Sequence, residues 1–198
     1  MKRAVPVLAI LLLLSANAIS QVINFGKTLP TRAYSITFSP VLNTSSVYHP
    51  EVKGMSYMLM AGYGIGYDVD ISLKYGYYPD KITNGVGLES KDFFAADVQY
   101  LFRETRKSYY SFFGGIHKWK EYGLDFTLAY TNIPQYWLNL SAGLDMDIDI
   151  SELELRAWIP LNVGINFDDR FFLFFEYDLP ATERAWDILG GGLTFILR

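Results

Sequence analysis

Beyond residue 20 the chain alternates between apolar and small or polar positions. In 55–66, Tyr57, Leu59, Ala61, Tyr63 and Ile65 fall on one face of an extended segment and Ser56, Met58, Met60, Gly62, Gly64 and Gly66 on the other. That period of two is what a β-strand imposes. The next block sets Val69, Ile71, Leu73, Tyr75 and Tyr77 against Asp68, Asp70, Ser72, Lys74 and Gly76, and Leu138, Leu140, Ala142, Leu144 and Met146 oppose Asn139, Ser141, Gly143, Asp145 and Asp147. In 153–167 eight apolar residues, from Leu153 to Phe167, line one face without a charge. The pattern predicts strands near 33–42, 55–66, 68–77, 93–103, 108–118, 122–132, 136–147, 152–166, 170–179 and 186–197. The fold class is all-β. The glycines of Phe112-Phe113-Gly114-Gly115 blur the facing within 108–132, so eight strands stay open beside ten.

The strands admit two barrels: a soluble one with the apolar face inward, and a membrane one with that face on lipid. The polar face favours the second, because it is rich in Gly, Ser, Thr and Asn where a water-exposed face would carry many Lys and Glu. The apolar face brings Tyr57, Tyr67, Tyr77, Tyr130, Tyr136 and Trp186 towards strand ends, as in the aromatic girdles of transmembrane barrels. Strands of about nine to eleven residues cross the hydrocarbon when tilted. With a periplasmic N-terminus the outer connections are 43–54, 78–92, 119–121, 148–151 and 180–185. The inner ones are then short, near 67, 104–107, 133–135 and 168–169.

Met1–Ser20 bears on destination. Lys2 and Arg3 precede an apolar run from Ala4 to Leu14, followed by Ser15-Ala16-Asn17-Ala18, the layout of a secretory signal peptide. Residues 1–18 are expected to be removed, with a cut after residue 20 as the alternative. Residues 19–198 then form one barrel domain. Loss of Lys2 and Arg3 lowers the basic count from 17 to 15 against 21 acidic residues, a net charge of −6. Such a charge balance does not suggest a nucleic-acid binder. With no cysteine and two histidines, His49 and His117, a thiolate metal site is excluded, and no cofactor is expected.

On these blocks and connections, over the whole mature chain, the sequence resembles the small bacterial outer-membrane β-barrel proteins of the general OmpX-like and OmpW-like kind. The resemblance implies an antiparallel transmembrane up-and-down barrel in the outer membrane, partnered by lipid and by the barrel-assembly machinery, and monomeric. It also implies a last strand ending on an aromatic residue. Here Leu189, Gly191, Leu193, Phe195 and Leu197 alternate and Arg198 follows.

Candidate chemistry is sparse. Gly62-Tyr63-Gly64-Ile65-Gly66 precedes a strand rather than the helix a nucleotide loop needs, so its glycines are expected to leave room in a lumen. Asp145, Asp147 and Asp149 have the opening spacing of a calcium loop, but Ile150 and Arg156 stand where Gly and Glu are required; they read as an acidic rim with a loose cation site as the alternative. Inward charges are expected at Asp70, Lys74, Asp97, Arg103, Asp125, Glu154, Arg156, Glu176 and Asp178. Buried charges must be paired or hydrated, so they form either a salt-bridge plug or a narrow cation pore. His49 in the first outer loop, with Ser46 nearby, carries the enzyme alternative, an acyl hydrolase or acyltransferase acting on lipid A. His117 reads as an interfacial residue at a strand end. The expected function is that of a non-enzymatic barrel with a structural, small-solute, cation-pore or surface-interaction role; a soluble periplasmic ligand-binding barrel is a further alternative.

Overall fold

The computed structural model describes residues 26–44, 54–77, 92–118, 122–151, 153–168 and 170–198. Ten strands form: β1 (Tyr34–Asn43), β2 (Gly54–Gly64), β3 (Val69–Tyr77), β4 (Asp92–Glu104), β5 (Ser108–Lys118), β6 (Tyr122–Gln135), β7 (Leu138–Asp149), β8 (Glu154–Asn166), β9 (Phe171–Pro180) and β10 (Ile188–Leu197). Each pairs antiparallel with its sequence neighbour, and β1 closes on β10. Closure satisfies every edge that an open sheet would leave unpaired, which hydrocarbon does not tolerate. The segment around Phe112-Phe113-Gly114-Gly115 is a regular strand, so the count is ten. Gly115 lies opposite Asp97, and a side chain there would collide with the Asp97 carboxylate and the Ala96 carbonyl. The glycine is needed because Asp97 fills that space.

Alternation sorts the side chains by face. Ile36, Leu59, Leu73, Val98, Ile116, Leu128, Leu140, Leu161, Val163 and Leu193 point outward and are exposed. Aromatic rings collar the belt at both ends: Tyr34 with Tyr63, Tyr110 with Tyr130 and Phe171 with Phe195 at one end, Tyr75 with Phe94 at the other. An apolar belt between aromatic collars is the face a barrel presents to lipid. Trp186 is not in a collar. It is 4% exposed and buried inside, because 181–187 folds inward instead of extending β10.

The two ends differ. The start of β1, the finish of β10 and the connections 65–68, 105–107, 136–137 and 167–170 share one end, here the terminal end; the other is the loop end. At the terminal end residues 26–33 form a strap along the inner wall. Ser111 Oγ donates to Gly26 O at 2.5 Å, Gly26 N–H donates to Thr131 Oγ1 at 2.7 Å, and Leu29 N–H donates to Asp70 Oδ2 at 2.8 Å. The strap therefore reaches from β5 and β6 to β3, and passes Gly64 of β2, where a Cβ would strike the Pro30 carbonyl.

Candidate functional site

The lumen is divided in depth. An apolar group formed by Val41, Met58, Phe93, Ala95, Trp158, Phe172, Phe174, Ala185, Trp186 and Ile188 is packed inside the wall; most of it lies in the loop half, and Phe172, near the start of β9, carries it to the terminal half. Trp158 and Trp186 meet edge to face, with ring centroids 5.4 Å apart. The Trp158 indole N–H donates to Trp186 O at 2.8 Å and that of Trp186 donates to Asn43 Oδ1 at 2.7 Å. Buried indoles need such partners, and these two bonds pin 181–187 across the barrel.

Charged groups lie beside this apolar group. Lys74 Nζ is 2.8 Å from Asp97 Oδ2, and Ser72 Oγ donates to the same oxygen at 3.4 Å. Glu176 Oε2 accepts from Asn162 Nδ2 at 2.7 Å. Glu154 Oε2 is 2.9 Å from Arg184 Nη1, and Asp178 is buried on β9. Asp70 sits near the terminal end and holds the strap. Of the sequence-predicted lumen charges, Arg103 is placed elsewhere. A bulge between Leu101 and Arg103 shifts the register, so Arg103 faces outward, exposed, its guanidinium 5.6 Å from the Tyr110 ring centroid.

Asp145, Asp147 and Asp149 share the inner face of β7, and the last two share Arg156. Thr127 Oγ1 donates to Asp145 Oδ1. Asp147 Oδ2 lies 3.2 Å from Arg156 Nη2, and Asp149 Oδ2 lies 4.0 Å from the same nitrogen. Asp149 Oδ1 accepts from the Ser151 N–H and hydroxyl at 3.0 and 2.9 Å. His117 is not interfacial: it is 6% exposed and faces inward, with Nδ1 2.8 Å from Asp125 Oδ1 and Nε2 3.5 Å from Asp147 Oδ1. The signal was present in the sequence, since Ser111, Gly115 and His117 share one parity. Gly123 stands opposite His117, and the ring occupies the place of its missing side chain. His49 and Ser46 lie outside the described residues, as does the segment 1–18.

Towards the terminal end the lumen opens into a cavity of about 950 Å³ that reaches the rim. Its walls include Ser35, Thr37, Ser72, Gln99, Thr131 and Asn139, with Lys74 and Asp70 among them. Lys27, Arg106, Lys107, Arg170 and Arg198 line its mouth, against the one carboxylate side chain of Asp168 among the described residues there. The molecule is thus basic around the terminal mouth and rich in carboxylates in the loop half.

No protein-family model and no curated protein matches the chain. Among solved structures it is similar to an outer membrane channel from Pseudomonas putida F1, with a TM-score of 0.58 and 8% identity over 90% of this chain and 100% of that one. It is also similar to the KdgM porin, with a TM-score of 0.53 and 7% identity over 83% of this chain and 99% of that one. At such identities the likeness is one of fold: the chain is a small closed up-and-down β-barrel, the fold of these outer-membrane proteins.

Proposed function

We propose that this protein is a closed bacterial outer-membrane barrel whose terminal end faces the periplasm and whose vestibule receives a small solute from that side. The observation that carries this reading is the division of the lumen: the two tryptophans, Phe93 and the ion pairs of Arg156 and Arg184 pack the loop half, and a cavity of about 950 Å³ occupies the terminal half. A barrel of about eight strands is filled by its own side chains; ten leave room for a cavity, and here that room lies at one end. The basic mouth favours a solute carrying negative charge. We read the role as non-enzymatic; in support, His117, the histidine among the described residues, has its ring nitrogens facing two carboxylates rather than a hydroxyl that could act as nucleophile. A second reading, a gated cation path, is favoured by the carboxylates that crowd the loop half.

Two measurements test the reading. In planar bilayers the folded protein should show no steady conductance, whereas Trp158→Gly combined with Trp186→Gly should open cation-preferring channels; steady ohmic conductance from the unmodified protein would establish an open pore. The chain has no cysteine, so single thiols report cleanly. Ser72→Cys in the vestibule should react with a membrane-impermeant maleimide only after the outer membrane is permeabilised, and Ser151→Cys at the loop end should react on intact cells. The reverse pattern would invert the topology.

A further inference from the structure

We propose that the loop half of the lumen holds one first-row divalent metal ion, gripped by His117 Nε2 and the Asp147 carboxylate, with Asp125 positioning the ring. One atom each of His117, Asp125 and Asp147 lie within 4.8 Å of one another, on three consecutive strands. Asp125 faces Asp147 across β6 and β7, and Asp147 faces Arg156 across β7 and β8.

The hydrogen bonding of the ring leads to the ion. An ionised carboxylate only accepts hydrogen bonds, and a neutral imidazole carries one N–H. The 2.8 Å contact to Asp125 Oδ1 therefore takes the proton on Nδ1. The lone pair of Nε2 is left facing Asp147 Oδ1 at 3.5 Å, and that oxygen is buried with no hydrogen-bond partner. Two lone pairs directed at each other need a positive charge between them, either a proton on Nε2 or a bound metal ion. The 3.5 Å gap is close to the spacing of about 3.4 Å between two ligands of a tetrahedral zinc ion, given metal–ligand bonds of roughly 2.0–2.2 Å. A carboxylate that accepts the far N–H of a metal-binding histidine is the usual outer-shell arrangement, and Asp125 is already in that place.

The charge balance points the same way. Asp125, Asp145, Asp147 and Asp149 share this corner with the guanidinium of Arg156, and the nearby ammonium of Lys74 is already paired with Asp97. Asp125 is 3% exposed, and its Oδ2 has no partner. A proton on Nε2 would add one positive charge to this corner, and a divalent ion adds two. An imidazole with carboxylates suits zinc, manganese, iron, cobalt or nickel rather than calcium, which takes oxygen ligands. Entry is from the loop end, where side-chain exposure rises from Asp147 at 13% to Asp149 at 17%.

The test uses the full barrel, folded in detergent, stripped with a chelator and carrying His49→Ala so that His117 is the only histidine. Calorimetric titration with Zn²⁺ and visible spectroscopy with Co²⁺ should each give one ion per barrel. His117→Gln and Asp147→Asn should abolish saturation, and Asp125→Asn should weaken binding by about 10–100-fold. Gly123→Ala keeps every ligand but pushes on the ring, so it should also weaken binding, and it serves if the other variants fail the heat-shift gel test of folding. Absence of saturable binding by the unmodified lumen up to millimolar metal would overturn the proposal. So would binding that His117→Gln or Gly123→Ala leaves unchanged.

Discussion

Lys74 and Asp97 show what a single side chain contributes inside this barrel. Both are nearly fully buried and lie 2.8 Å apart. Removing one partner of such a pair leaves an uncompensated charge, which costs about 3–5 kcal/mol, whereas replacing both with apolar groups of similar volume is often neutral. Lys74→Met should therefore lower the free energy of urea unfolding by that amount, and Lys74→Met with Asp97→Leu should recover most of it. Equal losses in the single and double variants would show that the two residues act separately. These inward charges were legible from parity alone, because Asp70, Lys74 and Asp97 fall on the small-residue face. Arg103 was not, since one extra residue at the Leu101–Arg103 bulge reverses every facing beyond it. His117 kept its parity, but its contacts to Asp125 and Asp147 are made across two strand pairings that no local pattern reveals.

At the scale of strands, period two located all ten elements to within three residues. It did so because each strand has one face on the apolar exterior and one on a crowded interior, and that contrast is what periodicity measures. Where both faces are apolar the method loses its contrast. In β9, Phe171-Phe172-Leu173-Phe174-Phe175 reads the same on either side, so only Glu176 and Asp178 further along the strand set the parity that puts Phe172 and Phe174 inside the barrel. Trp186 failed for a related reason: it precedes β10 in a segment that leaves the wall. The exterior face carries its own prediction. Leu140 and Val163 are paired neighbours on the outside of β7 and β8, and arginine at either should cost about 2–4 kcal/mol in a lipid bilayer. Arginine at Asn84, in the connection between β3 and β4, should cost nothing measurable; equal tolerance at Leu140 and Asn84 in vesicle-refolding titrations would refute the lipid-facing assignment.

For the molecule as a whole, the separation of charge along the axis matters most. Basic groups at the terminal mouth and carboxylates in the loop half give the barrel a fixed electrical direction, and fields of this kind concentrate solutes of the opposite sign. Lipid chemistry offers a separate check on the whole protein. Lipid A from cells with and without the chain should be identical by mass spectrometry. A difference abolished by His49→Ala or Ser46→Ala would establish the acyl hydrolase or acyltransferase reading instead.

The strap also sets an order in time. The bond from Gly26 to Thr131 joins groups 105 residues apart in sequence, and contacts this distant form slowly because the intervening chain must first be closed into a loop. The inner wall it seats against consists of β2, β3, β5 and β6, none of which exists when residues 26–33 are the leading part of a growing or translocating chain. Seating is consequently a late event, after several strands have been laid side by side. Until then Asp70, Ser111 and Thr131, the groups that bind the strap, are left to water.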